Sequence, residues 1–411
     1  MERLIERCCG LDVHKATVTA CVRLPDRQGN RTELLAEFST MTSDLLALSD
    51  WLSGLGVTHV AMEATGVYWK PVYYLLEDDF ELLLVNAAHI KHVPGRKTDV
   101  QDAQWIAQLL EHGLLRGSFV PPREIRELRD LTRYRKSLIR ERQREANRLH
   151  KLLEDANIKF GQVATDVLGV SGRLMLKALL EGESDPEALA ELARGRLRKK
   201  LPALRQALRG RFSGHHALLL SHILSHLDYL EEAVGELSEE IERRLAPFGR
   251  ELELLRSIPG VERRTAEAML AELGPDMARF PSHRHAASWA GICPGSEESA
   301  GKRKSGRTRK SNRWLREVLI ESGLAASRTK DTYLRAHYVR VKRRRGHKRA
   351  TVSTGHSILV SAYHVLKQGV PYHELGADYF DRRDDPERLV RRLVGQLERL
   401  GQSVTLEPTV A

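Results

Sequence analysis

The chain is poor in cysteine, has no long apolar run and is short of acid. Cys8, Cys9, Cys21 and Cys293 are its four cysteines, and none forms a CxxC pair. That spacing offers no thiolate zinc motif, and such sparse usage suits a reducing compartment. No apolar stretch approaches the ~20 residues that span a bilayer, and the start, Met1–Arg7, lacks a secretory apolar region. No membrane partner is expected. Acid is outnumbered: 66 Lys and Arg face 55 Asp and Glu, a net charge of +11 and a pI of about 9.5. A polyanionic partner follows from that balance. What remains is ordinary for a soluble protein, with 41% hydrophobic residues over 411 positions, enough for about two or three domains.

Four carboxylates carry most of the chemical information. Asp12 ends an apolar run in Cys9-Gly-Leu-Asp-Val-His-Lys15, and Glu63 ends another in Val60-Ala-Met-Glu-Ala-Thr-Gly66. Asp99 and Asp102 fall in Lys97-Thr-Asp-Val-Gln-Asp-Ala103, at i and i+3 where a helical pattern begins, and so share a face. Carboxylates in apolar surroundings repel each other and are costly to desolvate. A chain that gathers several does so around a hard divalent cation, which prefers oxygen ligands. On a basic protein the matching substrate is a phosphodiester.

The order of elements predicts an α/β domain followed by a mainly helical remainder. Residues 7–24 read as two strands around a turn, 33–39 as a third, and 57–62 as the strand that delivers Glu63. Helices are expected from Thr42 or Ser43 to Gly54, at 68–77 and at 99–112, with a strand at 81–86. This mixture suits a sheet with helices packed on it. Pro121-Pro122 then punctuates the chain. From Arg123 to Lys151 eleven Lys/Arg face five Asp/Glu along a thin leucine stripe, which predicts a coiled-coil-like arm or an antiparallel helical pair. Its arginines, Arg133 and Arg140 among them, are candidates for phosphate contact; the plain reading is a solvated helix face. Leu227, Leu230, Val234, Leu237 and Ile241 mark a return helix. Ser257-Ile-Pro-Gly-Val261 resembles a helix-hairpin-helix turn, in which Gly260 opens backbone N–H groups to a phosphate; the alternative is a tight turn between packed helices.

A second candidate site lies at 293–316. From Lys302 to Arg316 there are eight Lys/Arg and no acid, with Ser296, Ser299, Ser305 and Ser311 interleaved upstream and within. The segment reads as a flexible basic loop. Its cations, Lys302, Arg303, Lys304, Arg307, Arg309, Lys310 and Arg313, suit phosphate binding, and a serine there can serve as a nucleophile toward a phosphodiester. A further basic strip spans Lys342–Arg349, after Tyr333 and Tyr338.

The blocks around Asp12, Glu63 and Asp99–Asp102 resemble the signatures of the DEDD transposases of the "IS one-ten" insertion-sequence family, relatives of the Piv-like DNA invertases. Ile258–Val261, Ala290-Gly-Ile-Cys-Pro294, Glu298-Ser-Ala-Gly-Lys302 and Asn312-Arg-Trp-Leu-Arg316 resemble that family's C-terminal domain. The likeness runs over about residues 7–370 and keeps the family's order. It implies a RuvC-like, ribonuclease-H-type domain at 1–120, a helical or coiled-coil domain at 121–248, a serine transposase domain at 249–376 and a tail at 377–411. It implies that Asp12, Glu63, Asp99 and Asp102 bind Mg²⁺ (or Mn²⁺). The family serine falls at Ser299, before Ala300-Gly301-Lys302, with Ser296 the nearest competitor. The implied activity is site-specific recombination of donor and target DNA, guided by a non-coding bridge RNA, through a covalent serine–DNA intermediate. A homodimer or homotetramer at the bacterial nucleoid is expected, with a composite site. The rival readings are a metal-dependent RuvC-like nuclease or Holliday-junction resolvase, and a non-enzymatic nucleic-acid-binding protein. His14 and Lys15 flank Asp12, while His89 and His92 lack a third ligand partner in the sequence.

Overall fold

The computed structural model describes residues 4–26, 30–64, 66–86, 99–294, 297–299, 302–305, 308, 311–383 and 386–407. The chain divides into two units, residues 1–121 and 122–411.

The first unit is built on a five-stranded sheet. β1 (Cys8–Val13), β2 (Thr17–Pro25) and β3 (Arg31–Ser39) form an antiparallel meander. β4 (His59–Glu63) and β5 (Glu81–Val85) join β1 in parallel, giving the order β3-β2-β1-β4-β5. Strand alternation sends Cys9, Leu11 and Val13 to one face. There they pack with Leu45, Leu48 and Leu52 of α1 (Thr42–Gly54) and Val72 and Leu76 of α2 (Trp69–Leu76). Cys8 and Ala61 face the other way, against Ile106 and Leu110 of α3 (Asp99–Glu111), and Cys21 meets Ala103 and Ala107. The three cysteines are small core residues. Burial lifts the Cys8 thiol to about 11 and that of Cys21 to about 12, and raises Cys9 as well, so all three are neutral thiols.

α3 runs antiparallel to β1. Its last residue, Glu111, accepts Leu4 N–H at 3.0 Å on its carbonyl, and the Ala107 carbonyl meets Cys8 Sγ at 3.5 Å. The Glu111 side chain is only 1% exposed and takes hydrogen bonds from Arg23 and Arg31. Burial alone would raise its pKa; the two guanidiniums outweigh that and hold it below the usual value.

The second unit begins with an arm of two long helices. α4 (Arg123–Asp155) pairs with a 32-residue return helix, Gly214–Leu245. Contacts of Glu127 with Arg244, Arg135 with Ser238, Arg142 with Glu231 and Asp155 with His216 fix the pairing as antiparallel. Between them α5 (Phe160–Val163), α6 (Val170–Leu180), α7 (Pro186–Glu191) and α8 (Leu201–Ala207) form a small lobe. Its core joins Leu149, Leu153, Phe160, Met175, Leu176 and Leu204. The return helix is α9.

After the arm come α10 (Gly249–Arg256), α11 (Arg263–Leu273) and α12 (His283–Trp289). β6 (Glu297–Ser299) and β7 (Lys302–Ser305) follow, then α13 (Arg313–Ala326), α14 (Tyr333–Arg345) and α15 (His347–Gln368). α16 (Tyr379–Arg383) and α17 (Pro386–Arg399) close the chain. Where the sequence reads as a flexible basic loop, the structure has an antiparallel hairpin with a register shift at Glu297/Glu298. Its strands are polar and lack the apolar alternation by which a half-buried strand is read. No helix among the described residues is long and apolar enough to cross a membrane.

Candidate functional site

Three backbone facts gather the acidic residues. The parallel register pairs Leu11 with Met62, so Asp12 and Glu63 come one step later at the carboxyl ends of adjacent strands. Alternation sets Asp12 on the face of Gly10 and Glu63 on the face of Ala61, which is the face covered by α3. Gly10 lets the helix lie directly on the strand: a Cβ there would sit 2.3 Å from the Ala103 carbonyl oxygen and 2.4 Å from Ala107 N. Because α3 runs antiparallel to β1, its first turn, with Asp99 and Asp102, lies at the Asp12 end. That turn carries the positive end of the helix dipole, which favours anionic groups nearby.

Asp12 is 14% exposed, and His14 Nε2 lies 3.1 Å from its Oδ2. His14 is half exposed and flanks the acid. The four carboxylates supply only oxygen donors, the set that a hard divalent cation such as Mg²⁺ or Mn²⁺ takes, so the residues present fit such an ion.

Ser299 ends β6, paired with Lys302 at the start of β7, which also carries Arg303 and Lys304. Ser296, Arg307, Arg309 and Lys310 lie outside the described residues, as do His89 and His92. Beyond the hairpin, Asn312 caps α13: its Oδ1 accepts from Trp314 N and Leu315 N, both at 3.1 Å. Arg313, next in sequence, lies over the Trp314 ring at 4.9 Å.

Two arginines expected at phosphates hold carboxylates of other helices. Arg133 donates from Nε and Nη2 to the two carboxylate oxygens of Glu272, at 2.7 and 2.8 Å. Arg140 pairs with Glu317 and lies 4.9 Å over Trp314. A charge count along one helix cannot see carboxylates that arrive from α11 and α13. Gly260 likewise has a packing reason. Its φ is +85°, and a Cβ would meet Ser322 O and Ala326 N of α13 at 2.6 Å, so the glycine side of this turn is filled by a helix.

Other cations face outward. A groove of about 680 Å³ is lined by Arg335, Arg340, Arg343 and Arg344 of α14, with Phe380 of α16. The strip at Lys342–Arg349 continues from it along α14 and into α15. One cluster of ligating side chains with a different donor set occurs among the described residues: Asp155, His215 and His216. Both nitrogens of His216 already have protein partners, Nε2 with Asp155 at 3.1 Å and Nδ1 with the Ser213 N–H at 3.2 Å. This is a capping box at the start of α9, where the helix dipole also opposes a cation.

Acids on a mixed sheet, followed by helical segments and a basic hairpin, belong here to a transposase of the DEDD type, the class that the family comparison gives. A family model of that type, described as a transposase (DEDD_Tnp_IS110), matches residues 9–158, and one described as transposase of the IS116/IS110/IS902 family matches 252–339. Together they cover more than half of the chain, which belongs to the IS110 family of transposases. No curated protein matches it.

Proposed function

We propose that this transposase joins DNA through a covalent bond to Ser299, with a divalent cation, Mg²⁺ or Mn²⁺, held by Asp12, Glu63, Asp99 and Asp102. The observation that carries the metal half is the convergence of two adjacent strand ends and the first turn of α3 on one sheet face. The sheet order, three antiparallel strands and two parallel ones, supports a ribonuclease-H-type reading of this domain. The serine half rests on the family likeness and on the position of Ser299 in a basic hairpin.

In the proposed step the Ser299 oxygen attacks a DNA phosphorus. An O–P bond forms, the bond to the 3′-oxygen breaks, the serine proton leaves to a base and the 3′-oxygen takes up a proton. Attack by a second 3′-hydroxyl reverses the step and restores the serine, so the phosphodiester energy is conserved. The bound cation supplies charge neutralisation at the phosphate. Asp12, with His14 beside it, holds that charge in place, and Lys302, Arg303 and Lys304 attract the anionic strand. The family likeness extends the reading to a bridge RNA that selects donor and target DNA, and to a dimer or tetramer. The arginine groove on α14 suits the backbone of such a nucleic acid.

Ser299→Ala decides between strand transfer and hydrolysis. Wild-type protein incubated with cleavable DNA and Mg²⁺ is expected to form a protein–DNA adduct that survives denaturation, and Ser299→Ala none. Hydrolysis that persists in Ser299→Ala, with no adduct in either protein, overturns the proposal in favour of a nuclease. Sequencing the RNA retained by protein purified without nuclease tests the guide: a single defined species is expected.

A further inference from the structure

We infer that Glu272 is a positioning residue for strand transfer, tying the root of the β6–β7 hairpin to the arm helix α4. The inference rests on the reading of Ser299 given above.

Glu272 lies near the end of α11 and is 2% exposed. A buried carboxylate is costly unless its oxygens are bonded, and apolar side chains of like volume are often no less stabilising. Here the bonds run to two separate elements. Arg133 of α4 grips both oxygens, and Asn312 Nδ2 donates to Oε2 at 2.6 Å. Arg129, one turn earlier on α4, donates to the carbonyls of Ala271 at 3.2 Å and Glu272 at 2.7 Å, and lies 5.7 Å over the ring of Trp289.

Asn312 is fixed from both ends. Its oxygen is committed to the first N–H groups of α13 and its nitrogen to Glu272, so the amide has one orientation. Beside it, the Ser311 hydroxyl donates to the Trp289 carbonyl. Ser311 and Asn312 lie between β7 and α13 in the chain and immediately precede α13. Their partners, Glu272 and Trp289, are the two groups that α4 contacts through Arg133 and Arg129. The place of the hairpin root is therefore set by the arm helix, across more than 130 residues of sequence.

Glu272→Ala leaves Arg133 facing an empty site and is a poor probe, because loss of fold would mimic loss of positioning. Asn312→Ser is the cleaner variant. Serine also caps helices well, but it is too short to reach Glu272. In the full-length protein, Asn312→Ser is expected to keep its melting temperature and its DNA affinity. Its single-turnover rate of adduct formation is expected to fall about 10- to 100-fold, the scale of a small misplacement of reacting groups. Adduct formation within about twofold of wild type in Asn312→Ser overturns the inference. So does a fall in rate that is matched by loss of melting temperature and DNA affinity, since that is a structural brace only. Ser299→Ala run in parallel separates the two readings: adducts that persist there refute the nucleophile assignment itself, whatever Asn312→Ser does.

Discussion

Asp12 and Glu63 ride on the middle strands of a five-stranded sheet with helices packed on both faces. Ser299 rides on a hairpin whose strands are three and four residues long. The acids need no polar scaffolding to hold their backbone, because register and a close helix–strand contact at Gly10 do so. The hairpin root instead borrows its position through hydrogen bonds and ion pairs with distant helices. Packing fixes the first arrangement and polar tethers fix the second, so the two should fail in different ways.

The sharpest test separates chemistry from packing in the sheet. Asp12→Asn is expected to reduce DNA cleavage by about 10²–10³, the usual scale for losing one electrostatic contact to a transition state, while the melting temperature stays put. A large drop in melting temperature would show that the acid is structural and break the contrast. Gly10→Val should do the reverse. A side chain there must displace the α3 backbone at Ala103 and Ala107, at a cost of about 3 kcal/mol or more, with activity lost in step with folding. Denaturant unfolding of the variant checks this; a well-folded Gly10→Val would remove the packing argument.

The smallest effect concerns pH. The folded pKa of Glu111 is held below its usual 4.5, so its ion pairs contribute stability that is complete above the unfolded value. That contribution is lost as pH falls through the folded pKa. Glu111→Gln is expected to be less stable than wild type at pH 7 by about 1–3 kcal/mol. The gap should close progressively below pH 4.5. Urea midpoints for both proteins from pH 7 to pH 3 give the answer, and a gap that does not change with pH would remove the charge-based account of Arg23 and Arg31.

The strands that carry Asp12 and Glu63 were legible because an isolated carboxylate, after Leu11 or after Met62, breaks an apolar run. The helix with Asp99 and Asp102 was legible from its spacing. Gly10 was missed as a contact, although Ala103 and Ala107, four apart, mark the stripe of α3 that receives it. Glu272 was missed because, like Glu267 on the same helix, it looks like any helical glutamate until Arg133 and Asn312 arrive from 139 residues before and 40 after. The same distance explains Arg133 and Arg140: their excess of charge was read locally and is balanced by other helices. Every residue of the hairpin strands is charged or hydroxylated, so hydropathy has no purchase on them.

The arm has a mechanical consequence. α4 is 33 residues long, about 50 Å at helical rise. Arg129 and Arg133, which reach Glu272, are in its first third, and the lobe built on Leu149, Leu153 and Phe160 is at the far end. A tilt of about 5° at the root sweeps the tip through about 4 Å. The helix thus has the proportions of a lever, in which a small angle at the root is amplified at the lobe.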